Sequence, residues 1–379
     1  MRTHSVGLAV AVLAAILPAH RADAAVAVPA VRAAPVAVGS LEQRVGQLLM
    51  VGVPATGADA ATLQAISRYH LGGVILTGRS SAGVAATARL TAELQRRAAT
   101  RLLVAADQEG GAVQVLGGPG FARIPDARVQ AGQTPAALRR QARVWGEQLR
   151  AAGVRVDLAP VADTVPAGAG NPPIGAFDRQ YGADPAAVAR HSIAFADGLQ
   201  DAGVLATVKH FPGLGRVTAN PDTTAGVTDR VTTRTDPYLR PFRDAVRAGV
   251  PVVMMSTAIY ARIDPGRPAA FSPIIIGGLL RHDLGFEGVV VSDDLGTARQ
   301  VAGIPAGERA VRFVAAGGDL VLIVDPATLP AMYAALLTRA RSDPAFRARV
   351  EESAGRIRAA RQRLEPRPPA PRVRYEFRG

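Results

Sequence analysis

The sequence predicts a single α/β barrel of the (β/α)8, or TIM, type. The chain has 379 residues, of which 48% are hydrophobic, and this is enough to build one large core. Short apolar runs rich in β-branched residues alternate with amphipathic helical segments, which is typical of a parallel sheet buried on both faces. Eight such units close into a barrel, although periodicity alone leaves a doubly wound open sheet as the alternative. The eight runs span residues 48–53, 72–76, 102–107, 155–160, 205–211, 250–256, 288–293 and 320–325.

The segments between these runs have apolar residues at the spacing of an α-helix. Ser40 followed by Gln43 has the pattern of a capping box and predicts that the first helix begins there. Segments 135–151 and 185–202 have apolar residues at helical spacing. We therefore expect one barrel domain over residues 40–363.

The two ends of the chain differ from this pattern. Residues 1–24 combine a basic start, an apolar run from Val6 to Leu17 and small residues at Ala22 and Ala24, which predicts a secretory signal peptide. Residues 25–39 form a low-complexity linker, and residues 364–379 form a tail rich in Pro and Arg. We expect a secreted or cell-wall-associated protein. Because the chain has no cysteine, it is not expected to be a lipoprotein.

Composition narrows the classes of function. The formal net charge is +13, but the arginines are scattered without a dense basic run, so nucleic-acid binding is not expected. Electrostatic attraction to an anionic cell wall fits this charge. With no cysteine and six dispersed histidines, we expect no metal site. No glycine-rich dinucleotide or phosphate motif is present, so no cofactor is expected.

Polar side chains follow the predicted strands at their carboxyl ends, where barrel enzymes place their active sites. These are residues 107–109, 163, 209–210, 256–257 and 292–294. Lys209 is the single lysine of a chain that otherwise uses arginine. Several carboxylates with one lysine and one histidine suit acid–base chemistry on carbohydrates.

Five segments resemble glycoside hydrolase family 3, and among its members the single-domain β-N-acetylglucosaminidases. They are ADQEGGAVQ (106–114), DLAPVAD (157–163), IGAFDRQYG (174–182), VKHFPGLG (208–215) and LGFEGVVVSDDL (284–295). The resemblance runs from about residue 40 to about residue 360. It implies a retaining β-N-acetylhexosaminidase that releases terminal N-acetylglucosamine. Together with the predicted signal peptide, it indicates an exported enzyme that acts on cell-wall fragments.

The resemblance also implies roles for individual residues. Asp293 matches the nucleophile that forms a covalent glycosyl intermediate, and its neighbour Asp294 is expected to be turned away and hydrogen-bonded. Asp107, Lys209 and His210 match residues that bind the sugar. The alternative for Lys209 is a buried structural ion pair with Asp107 or Asp163, and for His210 it is a satisfied core histidine.

Arg179 also matches a sugar-binding residue, although its segment is about two residues longer than is usual in the family. The larger departure lies in the loop after the fifth strand. There the family usually has a histidine proton donor backed by an aspartate two residues earlier, whereas this chain has Asp222 and Asn220. Leu214, Ala112 and Val115 also replace the basic residues that are common at their positions.

Three interpretations of this departure stay open. Asp222 can be the acid/base itself, its proton retained by burial beside Asp293, with Asn220 orienting it or the acetamido group of the sugar. Asp229 can take that role instead. The third interpretation is a catalytically weak sugar-binding wall protein, and a β-glucosidase-like enzyme of the same family is a further alternative.

Overall fold

The structure is a computed structural model that describes Met1 and residues 39–365. The predicted signal peptide and the linker up to residue 38 lie outside the described residues, apart from Met1. The predicted Pro/Arg tail lies outside them from residue 366 onward.

Eight parallel strands form the centre of the molecule, and each of them overlaps one of the eight predicted runs. They are β1 (Leu49–Pro54), β2 (Gly73–Thr77), β3 (Leu103–Ala106), β4 (Val156–Asp157), β5 (Leu205–Phe211), β6 (Val252–Met255), β7 (Val289–Ser292) and β8 (Val321–Ile323).

The strands are hydrogen-bonded in chain order, and β1 also pairs with β8. The circle closes between β7 and β8 through a parallel bridge that joins Val291 to Leu320. There the backbone N–H of Ser292 donates to the carbonyl of Leu320 at 3.0 Å. The barrel prediction is therefore confirmed, and the open-sheet alternative is wrong.

Ten α-helices accompany the strands in the described part of the chain. They are α1 (Leu41–Gly46), α2 (Ala60–Arg68), α3 (Gly83–Arg97), α4 (Ala127–Gln130), α5 (Pro135–Ala151), α6 (Pro185–Asp201), α7 (Arg240–Arg247), α8 (Ala306–Ala315), α9 (Leu329–Ser342) and α10 (Pro344–Gln362). The capping box predicted at Ser40 and Gln43 is present at the start of α1. A π-helical segment, Ile274–Asp283, takes the place of an α-helix between β6 and β7.

The core lies between the strands and the helices that surround them. All residues of β5, β6 and β7 are buried, as a parallel barrel requires. The β4 ladder is shorter than the predicted run, but beyond it the carbonyls of Ala159 and Pro160 still accept the backbone N–H groups of Thr207 and Lys209 in β5. Among the described residues, no helix has both the length and the apolar character needed to cross a membrane.

Candidate active site

A cavity of about 290 Å³ opens at the carboxyl ends of the barrel strands. All seven residues singled out as catalytic or sugar-binding in the sequence contribute to its lining. Apolar side chains complete the walls, among them Met254 and Leu158. The seven residues are Asp107, Arg179, Lys209, His210, Asn220, Asp222 and Asp293.

Lys209 reaches the cavity from near the end of β5, and its side chain is only 2% exposed. Its Nζ lies 2.6 Å from Oδ1 of Asp107 and 2.6 Å from Oε1 of Glu109. Burial disfavours the charged amine, but the two carboxylates outweigh it and hold the pKa of Lys209 above its usual range. The ion pair with Asp107 foreseen for Lys209 is thus present, and it faces the cavity.

Glu109 joins Lys209 to Arg179. The Arg179 guanidinium binds it through two parallel hydrogen bonds, Nε to Oε2 at 2.8 Å and Nη2 to Oε1 at 2.7 Å. Although burial favours the neutral acid, the positive charges of Arg179 and Lys209 lower the pKa of Glu109 to about 2. The sequence places Glu109 among the polar residues after a predicted strand, but its pattern indicates no role for this residue.

His210 is fixed by Asp163. Its Nδ1 lies 2.7 Å from Oδ2 of Asp163, and its backbone N–H donates to Oδ1 of the same carboxylate at 3.1 Å. Asp163 also accepts from the backbone N–H of Leu214 at 2.8 Å. With Nδ1 engaged in this way, Nε2 is the ring nitrogen left for a ligand.

Asp222 lies in the loop that follows β5. The Oδ1 atom of Asn220 accepts the backbone N–H of Asp222 at 2.9 Å, which fixes the turn that carries the carboxyl group. The residue is exposed to solvent, although it also lines the recess of the cavity. Burial in this recess and the negative charge of Asp293 raise the pKa of Asp222 to about 6.

Asp293 and Asp294 follow β7 and have different surroundings. Asp293 Oδ1 accepts the backbone N–H of Asp294 at 2.9 Å. Asp294 accepts from the backbone N–H groups of Gly296 at 2.8 Å, Thr297 at 2.9 Å and Val324 at 2.9 Å, and from the Thr297 hydroxyl. Asp294 is therefore hydrogen-bonded, as predicted, and holds the loop after β7, although it also contributes to the lining of the cavity.

Asp229 is not brought to the cavity. Its carboxylate accepts the backbone N–H groups of Val231 at 2.7 Å and Thr232 at 2.8 Å, and the Thr232 hydroxyl at 2.6 Å. It thus caps its own turn, which does not fit the interpretation of Asp229 as the proton donor. Over residues 39–365, no group of three histidine, aspartate or glutamate side chains is arranged to hold a metal ion.

The carboxyl group of Asp157 is fully buried near the ion-pair cluster of Lys209. Burial raises the pKa of Asp157 to about 8, although the backbone N–H of Gln108 donates to it at 3.0 Å. The neighbouring charges of Asp107 and Glu109 act in the same direction as burial. Burial thus favours the neutral form of Asp157, and the positive charge of Lys209 opposes it.

Comparisons with known proteins find a family model and several similar proteins. The family model described as the glycosyl hydrolase family 3 N terminal domain matches residues 40–360. A β-hexosaminidase of Stenotrophomonas maltophilia (strain K279a) is 34% identical over 289 residues, which are 74% of this chain and 84% of that protein.

Two solved structures are also similar. A β-N-acetylhexosaminidase from Beutenbergia cavernae DSM 12333 has 49% identity and a TM-score of 0.84, covering 86% of this chain and 99% of that one. A glycoside hydrolase family 3 β-N-acetylglucosaminidase from Paenibacillus sp. str. FPU-7 has 36% identity and a TM-score of 0.79, covering 86% of this chain and 63% of that one. The chain therefore belongs to glycoside hydrolase family 3 and is a glycoside hydrolase that acts on O-glycosyl bonds.

Proposed function

We propose that the protein is a retaining β-N-acetylhexosaminidase in which Asp293 is the nucleophile and Asp222 is the acid/base. One observation carries the assignment. The two carboxyl groups line the same cavity, and the charge of Asp293 helps to raise the pKa of Asp222 to about 6. A retaining glycosidase uses two carboxyl groups, of which one is ionised as the nucleophile and the other holds a proton as the acid.

The reaction follows in two steps. In the first, the Asp293 carboxylate attacks the anomeric carbon, the glycosidic bond breaks, and the proton of Asp222 passes to the departing oxygen. In the second, the Asp222 carboxylate takes a proton from water, which attacks the same carbon and releases the sugar and Asp293. The chain thereby returns to its starting protonation state with no cofactor.

The remaining lining residues hold the sugar. Asp107 has a second carboxylate oxygen to accept from ring hydroxyls, and Lys209 and Arg179 donate from the other side of the same cluster. His210 offers Nε2. Because Asn220 uses Oδ1 on the backbone of Asp222, its Nδ2 amide is left to donate to the acetamido carbonyl of the substrate.

The proposed substrate is a terminal β-linked N-acetylglucosamine on cell-wall peptidoglycan fragments. The similar proteins from Beutenbergia and Paenibacillus are a β-N-acetylhexosaminidase and a β-N-acetylglucosaminidase, which supports a hexosamine substrate. The signal-like residues 1–24 support export, and the net charge of +13 supports attraction to the anionic wall.

Hydrolysis of 4-nitrophenyl glycosides by the mature protein tests the substrate assignment. We expect turnover of the β-N-acetylglucosaminide at a kcat/KM at least about tenfold above that of the β-glucoside, because the glucoside has no acetamido carbonyl to pair with the half-buried amide donor of Asn220. A preference for the glucoside favours the β-glucosidase-like alternative. Binding of N-acetylglucosamine without turnover of either glycoside supports a sugar-binding wall protein.

A further inference from the structure

The loop that carries Asp222 is attached to the segment that follows the nucleophile. The backbone N–H of Arg299 donates to the carbonyl of Asp222 at 3.0 Å, and that of Gln300 donates to the carbonyl of Pro221 at 3.0 Å. Residues 299–300 lie only a few positions after Asp293 in the chain. The two catalytic carboxyl groups are thus carried on backbone segments that bind each other directly.

The side chain of Gln300 adds a second attachment further along the loop. Its Oε1 accepts the backbone N–H of Val227 at 2.8 Å, and its Nε2 donates to the carbonyl of Val227 at 3.1 Å. The amide of Gln300 therefore pairs with both the N–H and the C=O of Val227, as the backbone of a neighbouring β-strand would. Val227 is buried, so this end of the loop is anchored in the core.

The beginning of the loop has an anchor of the same chemical type. Asn171 donates from Nδ2 to the carbonyls of Leu214 at 2.8 Å and Val217 at 3.0 Å. Between the two amide anchors, residues 222–226 are exposed to solvent. The position of the Asp222 carboxyl group is therefore set by the backbone hydrogen bonds from residues 299–300 together with the anchors at the two ends of the loop.

We propose that Gln300 is a positioning residue for proton transfer, which holds Asp222 at the distance from Asp293 that the reaction requires. The inference rests on the proposed function of Asp222 as acid/base. A general acid acts only within hydrogen-bond reach of the departing oxygen, and a small displacement of the group is enough to lose rate. Loss of the Gln300 amide removes two of the hydrogen bonds at Val227, whose carbonyl also accepts the backbone N–H of Ile259 at 3.0 Å. It thus loosens this end of the loop while both catalytic carboxyl groups stay in the chain.

The test uses Gln300→Met, which keeps the length of the side chain and removes both hydrogen bonds. For a poor leaving group such as phenyl, we expect kcat/KM to fall about tenfold, in line with the loss of two partly buried hydrogen bonds. For 2,4-dinitrophenyl, which departs without protonation, the fall should stay below about twofold. Gln64→Met is the matched control, since Gln64 is exposed on α2 and away from the cavity, and it should leave both rates unchanged.

A double-mutant cycle separates positioning from general stability. In an Asp222→Asn background, Gln300→Met should cause no further loss, because the group that Gln300 positions is already gone. The role of Gln300 is overturned if Gln300→Met lowers kcat/KM by the same factor in both backgrounds. It is also overturned if the decrease in kcat/KM is equal for the two leaving groups. If Gln300→Met fails to fold, Gln300→Glu keeps the acceptor for Val227 N–H and removes the donor, and it should show a smaller loss of the same kind.

The design also separates this inference from the proposed function. If Asp222→Asn itself loses no more rate with phenyl than with dinitrophenyl, Asp222 is not the acid, and both proposals fall. If Asp222→Asn shows that difference and Gln300→Met does not, only the role of Gln300 falls.

Discussion

Replacing Glu109 by Gln should destabilise the protein and weaken sugar binding together. Glu109 is 7% exposed and neutralises both Arg179 and Lys209. The change keeps the size of the side chain. It leaves Arg179 without a carboxylate partner and Lys209 with Asp107 alone. Removing one partner from a buried ion pair typically costs about 3–5 kcal/mol of the free energy of unfolding.

The pKa of Glu109 gives an independent magnitude. It is lowered from 4.5 to about 2, and one pKa unit corresponds to about 1.4 kcal/mol, so the folded state gains about 3 kcal/mol from the ionised carboxylate. Because the folded-state pKa is depressed, this stabilisation is fully present above pH 4.5 and is lost as pH falls toward 2. At roughly 2 °C per kcal/mol for a domain of this size, Glu109→Gln should lower Tm by about 6 °C at pH 7.

Differential scanning calorimetry at pH 7 and pH 3 measures the size of this destabilisation and its pH dependence. The difference in Tm between the wild type and Glu109→Gln should shrink at pH 3 to less than about half of its value at pH 7. Asp107→Asn is the matched control, because the Asp107 side chain is 28% exposed and meets Lys209 alone, so its effect on Tm should be smaller. An equal Tm difference at the two pH values, or none at pH 7, would refute the reasoning.

Two further predictions concern the same cavity. Because the pKa of Asp222 is raised to about 6, its acid form persists to that pH, and kcat/KM for a phenyl glycoside should fall about tenfold for each pH unit above it. The variant Asp222→Asn should not show this dependence. A variant with the pH profile of the wild type would contradict the assignment of Asp222 as the acid. Lys209→Arg should raise KM for the nitrophenyl N-acetyl-β-glucosaminide by at least about tenfold. The planar guanidinium does not fit a site in which the lysine side chain is 2% exposed and lies between Asp107 and Glu109. An unchanged KM would argue against a sugar-binding role for Lys209.

The barrel was predictable because its signal is local. Each strand is a short apolar run, and each helix has its own spacing and caps, as α5 shows with Thr134 at its N-cap and Pro135 at its first position. Because barrel enzymes place their active sites at the carboxyl ends of the strands, the sequence also indicated where the polar residues would meet. The helix α5 begins and ends at the predicted residues, Pro135–Ala151.

The supports of the site were not predictable in the same way. Glu109 and Arg179 are 70 residues apart in the chain, and Gln300 is 73 residues from Val227. Nothing in the local pattern around Gln300 distinguishes it from a surface glutamine, since its partners are backbone atoms of another loop. Lys209 was noticed because it is the single lysine, but its second partner, Glu109, emerged only when the ends of β3 and β5 were brought together.

The central claim is that Asp293 forms a covalent bond to the sugar and that Asp222 activates water to break it. Mass spectrometry of Asp222→Asn mixed with 2,4-dinitrophenyl N-acetyl-β-glucosaminide tests both parts at once, because this leaving group departs without an acid while the second step lacks its base. The account predicts that the protein gains the mass of one N-acetylglucosaminyl group and that the group maps to Asp293. An adduct on another residue, or rapid turnover with no adduct, would contradict it.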